Sequence, residues 1–317
     1  MAEITLKLTD TAGRPVQYEA LLRWEWSRED GVPCDALQAH LLAALPLPEI
    51  ERVQLMADGI TVFNGYCDLQ RERADSNGST VDIYARSTAC LLTDNEAEPR
   101  VYTQPSVLAL FLTNAKGMPF HCHLPETVCE NDYTVSPGTS CFAVLDNFMT
   151  ALCNRHIAVS PDNRIYLPEG NGCCRIYAQQ LLSESKITER GSAISVIDYK
   201  TAGDSGYAHH LMSRTLSSQA ICRSKKVSLS ALPAWQQNAA LLGKLQTAAA
   251  QYRRLEVTAD GCYCPDLYDR LDYPSALTDK PTDYRITAIT VSSSAQGVQT
   301  HFCLSRPIEL KEITYVA

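Results

Sequence analysis

The sequence predicts a mainly β protein with an α+β insertion. Three observations carry that expectation. Short runs with period-two alternation fill the first hundred residues. A helical period takes over from about Thr103 to Leu182. Alternation then returns from about Lys186, broken by one long helix. The 317 residues suit roughly two or three domains, and the pattern divides them into 1–98, 99–185 and 186–317. Strands from after the insertion are allowed to complete the first unit.

In the first unit, Ile4, Leu6 and Leu8 alternate with polar neighbours, and Thr11–Pro15 supplies a turn. A second alternating stretch covers Tyr18–Trp26. Val53–Phe63 reads as a hairpin with Asp58-Gly59 at its turn and apolar residues on both arms. Another pair is joined by Ser76-Asn77-Gly78-Ser79 and ends in Val81–Ala85. Five or six short strands at this spacing suggest a small barrel or sandwich.

In the insertion, Pro105–Leu112 reads as a short helix. Ser140–Cys153 is a stronger one, because Cys141, Leu145, Phe148 and Leu152 fall on one helical face. Asp162-Asn163 separates two short strands, Ile157–Val159 and Arg164–Leu167. The last unit has strands around Ala193–Ile197 and Lys226–Leu229. Its helix runs from Pro233 to about Tyr252, with Trp235, Leu242, Leu245 and Tyr252 inward. Arg254–Thr258 is a strand and Ala259-Asp260-Gly261 a turn. Tyr284–Val291 and Val298–Leu304, joined by Ala295-Gln296-Gly297, make the clearest hairpin.

Composition excludes several classes. Hydrophobic residues are 45% and charged residues 20%, which is wrong for a disordered chain. The formal charge of −8 argues against a nucleic-acid coat or a membrane-surface binder. No signal-peptide core opens the chain, and Leu41–Leu47 is too short to span a bilayer, so no membrane insertion is expected. The thirteen cysteines are therefore expected to be reduced, mostly as small core residues.

Few residue patterns suggest chemistry. His121, His123 and Cys129 combine imidazole and thiol, the groups that bind zinc. In a strand the two histidines share a face while Cys122 points away, and the spacing fits no finger or ribbon, so an incidental edge or loop is favoured. Cys173-Cys174 and Cys262-Tyr263-Cys264 are isolated pairs. Phosphate-loop and GxSxG motifs are missing, and Asp68, Asp94, Glu96 and Glu98 read as scattered surface carboxylates. His209-His210, flanked by Gly203, Ser205 and Gly206, reads as a loop. Arg223, Lys225 and Lys226 read as a solvated strand edge. No catalytic residue, metal or cofactor is expected.

Three blocks in order resemble a known family. The first is Asp58–Asp68, followed by Val81–Ser87 and Leu91–Ala97. It resembles the "dG..vf.Gyvd … v.GRs…dLvd.sa" signature of baseplate hub proteins of contractile-tailed phages, the Mu-like and T4-like hub family. The second is Tyr133–Ser140 with the helix and Asp162-Asn163 hairpin behind it, similar to the family's "f.v..G.s..evl..la" segment. The third is the Pro233–Tyr252 helix, Leu255–Gly261 and the closing hairpin, similar to the family's second barrel. The positions that match its structural motifs are Gly59, Gly65, Asp68, Arg86, Gly138 and Gly261. Ala85 stands where the family often has Gly, and Cys262–Asp266 only loosely matches its "pGd" turn. The size resembles the small hubs of Gram-positive prophages and contractile bacteriocins.

The resemblance implies two tail-tube-like β-barrels flanking a small α+β domain. It also implies a homotrimer whose six barrels form a pseudo-sixfold ring between the tail tube and the central spike. The implied partners are a second and third copy, the tail tube protein, the central spike protein, and other baseplate and tape-measure proteins, with no specific nucleic-acid binding. The implied place is the tail baseplate of a virion or tail-like particle made in the bacterial cytoplasm. Two rival readings are a tail-associated cell-wall hydrolase, for which no hydrolase motif is found, and a carbohydrate- or receptor-binding β protein. Trp24, Trp26 and Trp235 would be the stacking residues of the latter, although buried aromatics are the commoner explanation.

Overall fold

A computed structural model describes residues 3–76, 78–218, 221–294, 297–308 and 312–316. One antiparallel sheet of eleven strands dominates it. Across the sheet the strands run Leu181–Thr188, Arg253–Asp260, Gly297–Ser305, Arg285–Ser294, Ala20–Glu29, Ala36–Leu42, Gly78–Ser87, Ile60–Asp75, Ile50–Ala57, Ile4–Asp10 and Pro15–Val16. Strands from the two ends of the chain meet in the middle, with Trp24 opposite Ser293 and Trp26 opposite Val291.

The period-two pattern explains which face is buried. Leu6 and Leu8, Trp24 and Trp26, Leu37, Ala39 and Leu41, Val81 and Ile83, Leu255 and Val257, and Phe302 and Leu304 all point to one side. They form a single core cluster that draws on both ends of the sequence. Trp24 and Trp26 are therefore core residues, not surface stacking platforms. Among the described residues no ladder joins the outermost strands, Leu181–Thr188 and Pro15–Val16, so this is one open sheet and no closed barrel is formed.

The hairpins fall where the turns predicted them. Asp58 and Gly59 both have positive φ (48° and 78°), the combination a two-residue hairpin turn needs. Asn77 of the second predicted turn, and Ala295 and Gln296 of the last, lie outside the described residues. The strand Ala36–Leu42 was not anticipated, although Leu37, Ala39 and Leu41 alternate cleanly.

A second core cluster belongs to the insertion. Its helices, Val107–Asn114 and Cys141–Cys153, start at Ser106 and Ser140, whose hydroxyls accept from Ala109 N and Ala143 N at 3.1 Å. The second helix stops at Asn154, which takes the left-handed conformation. Around it lie the pair Arg100–Tyr102 and Tyr133–Val135, and a three-stranded sheet of Ala158–Val159, Arg164–Tyr166 and His121–His123.

The remaining strands depart from expectation. Val196–Lys200 and Ser224–Ser228 do not join the large sheet; with His209–Ser213 and Ile313–Val316 they form a separate four-stranded sheet. Ile197 and Leu211 of this sheet, with Leu229 just past the strand Ser224–Ser228, share a core cluster with Leu241, Leu242 and Leu245 of the helix Ala234–Tyr252. His209-His210 therefore begins a strand instead of lying in a loop, because Leu211 and Ser213 are buried and the strand is paired on both sides. The Ala234–Tyr252 helix also reaches the insertion: Trp235 stacks edge-on against Tyr133 and Phe148, at 6.2 and 6.1 Å. No helix among the described residues is long and apolar enough to cross a membrane.

Candidate functional site

Gly65, Asp68 and Arg86, singled out in the first block, converge on one joint. Gly65, in the strand Ile60–Asp75, lies opposite Ser87, and Tyr66 lies opposite Arg86. A Cβ on Gly65 would stand 2.0 Å from the Arg86 carbonyl oxygen, so the two backbones approach as only glycine permits. Arg86 then spreads its guanidinium over two carboxylates. Nε donates to Asp68 Oδ2 at 2.5 Å, Nη1 to Asp94 Oδ1 at 2.9 Å and Nη2 to Asp94 Oδ2 at 2.7 Å. Hydrogen bonding from Arg86 holds the Asp94 carboxyl below the usual carboxylate range. Gly59 sits in its hairpin turn, Gly138 in the turn before the helix Cys141–Cys153, and Gly261 just after the strand Arg253–Asp260. Of these, Gly59 directly precedes the strand that carries Gly65 and Asp68, while Gly138 and Gly261 lie at other elements.

Next to this joint the sheet is tied to the insertion. Asn64 Nδ2 donates to the Pro161 carbonyl at 2.9 Å, and the Thr88 hydroxyl donates to Asn163 Oδ1 at 2.7 Å. The Asp162-Asn163 turn, read only as a hairpin, thus also docks the insertion on the sheet.

A part-buried ionic network, missed in the sequence, forms a second joint. Arg28 donates to Asp35 from Nε at 3.1 Å and from Nη2 at 2.8 Å, and its Nη1 lies 3.7 Å from Asp266 Oδ1. The Tyr166 hydroxyl donates to that Asp266 oxygen at 2.7 Å, and Tyr268 donates to Asp30 at 2.5 Å. Burial works against the Arg28 charge, but Asp35 beside it more than offsets this and keeps the guanidinium protonated. Burial raises the Asp266 pKa. Arg28 lies in the large sheet, Tyr166 in the insertion and Asp266 in the loop after Arg253–Asp260, so one cation fixes three parts of the chain. Sequence could not reveal it, since Asp35 and Asp266 are ordinary acidic residues until folding gathers them.

The candidate metal ligands do not converge. His121 and His123 are exposed on one side of their strand, whereas Cys129 is buried in the insertion core. Among the described residues, no group of three or more His, Cys, Asp or Glu side chains is placed to hold a metal ion. All thirteen cysteines are free thiols. Cys90, Cys129 and Cys141 are buried, and Cys34, Cys67, Cys122, Cys174 and Cys262 pack partly buried against the two larger cores, whereas Cys153, Cys173, Cys222 and Cys264 are exposed. Arg223 donates to the Gly191 carbonyl, and Lys225 and Lys226 lie on the edge strand of the four-stranded sheet.

Both joints hold elements of the fold against one another. Solved structures share this fold. The fold matches that of a 43 kDa tail protein of prophage MuSo2 from Shewanella oneidensis, with a TM-score of 0.75, 13% identity and 97% of each chain covered. It matches a tail protein from Neisseria meningitidis with a TM-score of 0.71, 14% identity and 96% of each chain covered. An Escherichia coli component of the type VI secretion system, described as similar to bacteriophage T4 tail proteins, matches with a TM-score of 0.61 and 8% identity, covering 99% of this chain and 79% of that one. No protein-family model matches the sequence, and no curated protein matches it. The chain has the fold of phage tail proteins.

Proposed function

We propose that this chain, built on the tail-protein fold, is a structural baseplate hub of a contractile tail or tail-like injection particle. The observation that carries this reading is the end-to-end likeness to two tail proteins, one of them of a prophage, which spans the large sheet and the insertion alike. In this reading the two halves of the large sheet are the tube-like units. One is drawn from residues 1–98. The other is drawn from 186–317 with the strand Leu181–Thr188, and residues 99–185 otherwise form the insertion. Three copies close into a pseudo-sixfold ring joining the tail tube to the central spike, since repeated head-to-tail contacts are stable when they close. Gly59, Gly65, Asp68, Arg86, Gly138 and Gly261 serve as structural positions. The tail tube, spike, baseplate and tape-measure proteins are its partners, the baseplate is its place, and its role is non-enzymatic.

Light scattering of the purified chain over a range of concentration and salt tests the ring. A mass of three protomers, with a central pore seen by electron microscopy, is the expected result. A mass of one protomer at every concentration and salt overturns the self-assembled ring.

A further inference from the structure

The turn that follows the strand Arg253–Asp260 brings two thiols together. Cys262 and Cys264 lie two residues apart, yet their sulfur atoms are 3.8 Å from each other. In a flat strand such neighbours share a face but stand roughly 6–7 Å apart along the chain. Here the turn closes that gap. Gly261 has φ of +114°, a conformation side chains rarely adopt, and its N–H donates to the Val298 carbonyl at 2.8 Å. Tyr263 between the cysteines is fixed at both ends: its N–H donates to Thr300 Oγ1 at 3.0 Å, and its ring lies 6.3 Å from that of Phe302. With the backbone held on either side, the two sulfurs are kept in contact.

The pair is open to solvent, Cys264 being exposed and Cys262 half-buried. Either thiol can donate to the other sulfur; with Cys264 as the donor, the hydrogen bond lowers the Cys262 pKa against the opposing effect of burial. The two sulfurs thus differ in role: one favours the thiolate that attacks, and the other waits beside it.

We infer that Cys262 and Cys264 form a dithiol site that small-molecule disulfides oxidise to an intraloop disulfide. The Cys262 thiolate attacks one sulfur of a low-molecular-weight disulfide of the glutathione type. A protein–small-molecule S–S bond forms, the original S–S bond breaks, and the departing thiolate takes up a proton. Cys264, losing its proton, then attacks the Cys262 sulfur and expels the second small thiol. The protein gives up two electrons and two protons, and one small disulfide becomes two thiols. The closed ring constrains the loop that delivers Asp266 to Arg28 and Tyr166. This site stands on the geometry of one loop and not on the hub reading.

The test is incubation of the native chain with oxidised glutathione, followed by alkylation under denaturing conditions and peptide mass mapping. Two fewer of the thirteen thiols should alkylate, with a Cys262–Cys264 link in one peptide and no lasting glutathione adduct. In C264S the glutathione adduct should persist on Cys262, because the resolving thiol is gone. In C262S the link should be lost while far-ultraviolet circular dichroism remains that of the native chain. Pairing of Cys264 with the nearby Cys174, full alkylation of both residues, or an adduct equally lasting in wild type and C264S would each overturn the assignment.

Discussion

Replacing Gly65 with alanine places a methyl group where the fold has no room. The new Cβ would lie 2.0 Å from the Arg86 carbonyl oxygen, 2.8 Å from its carbon and 2.7 Å from the Phe63 ring. Phe63 is buried and cannot swing aside, and the Arg86 carbonyl is backbone. Reaching an ordinary contact therefore needs the strands Ile60–Asp75 and Gly78–Ser87 to part locally by about 1 Å or more. A ladder bond of roughly 2.9 Å would stretch to about 3.9 Å, beyond hydrogen-bonding range. Losing two or three such bonds at about 1 kcal/mol each gives a cost of about 3 kcal/mol, comparable with overpacking a core. At about 2–4 °C per kcal/mol the melting temperature should fall by roughly 6–12 °C. The control is Gly206→Ala, where a Cβ meets nothing within 4 Å and no positive φ is required, and whose stability should change by less than about 0.5 kcal/mol. Differential scanning calorimetry measures both. A Gly65→Ala variant that melts with wild type would refute the close-approach argument.

Three further outcomes are expected. Arg86→Lys keeps the charge but cannot span Asp68 and Asp94 together; it should cost about 1 kcal/mol at neutral pH, given the partial exposure of the cluster. Because the Asp94 pKa is depressed on folding, its contribution is present above the ordinary carboxylate range and fades as pH falls through the folded value, so chemical denaturation should show the variant converging on wild type in acid. His156 pairs with Asp146 at 2.9 Å, which raises its pKa above 6.5; the stabilisation is full below that value and is lost as pH rises through the raised one. Histidine NMR titration should find the elevated midpoint in wild type and its fall in Asp146→Asn. Under native, reducing conditions, the exposed Cys173 and Cys222 should react quickly with a maleimide, while Cys90, Cys129 and Cys141 should react only on unfolding; prompt labelling of Cys129 would contradict its burial in the insertion core.

The sequence displayed what local physics determines. The helix Cys141–Cys153 was readable to within one residue, as Ser140–Cys153, because its apolar face repeats at helical spacing, and the Asp58-Gly59 hairpin because its turn chemistry is specific. Partner choice was not readable. Nothing in Val196–Lys200 distinguishes a strand of a small side sheet from one of the large sheet, since both need only a buried alternate face. The same holds for Ala20–Glu29, whose pairing with Arg285–Ser294 depends on residues more than 250 positions away. At the joints, Gly65, Asp68 and Arg86 were visible as a motif, but Arg28, Asp35 and Asp266 were not, because a part-buried ion network leaves no periodic trace in the chain.

The meeting of first and last strands sets a timetable for synthesis. Ala20–Glu29 emerges early, but one of its two hydrogen-bonding sides stays vacant until Arg285–Ser294 has been made. At roughly 5–20 residues per second the interval is about 13–50 s. During it the nascent chain displays an unpaired ten-residue edge carrying two tryptophans, the kind of surface on which polysomes cross-associate. Translation speed and chaperone capture should therefore govern the yield of soluble product more than the final stability does, and slowing elongation should lower that yield even when the finished molecule is unchanged.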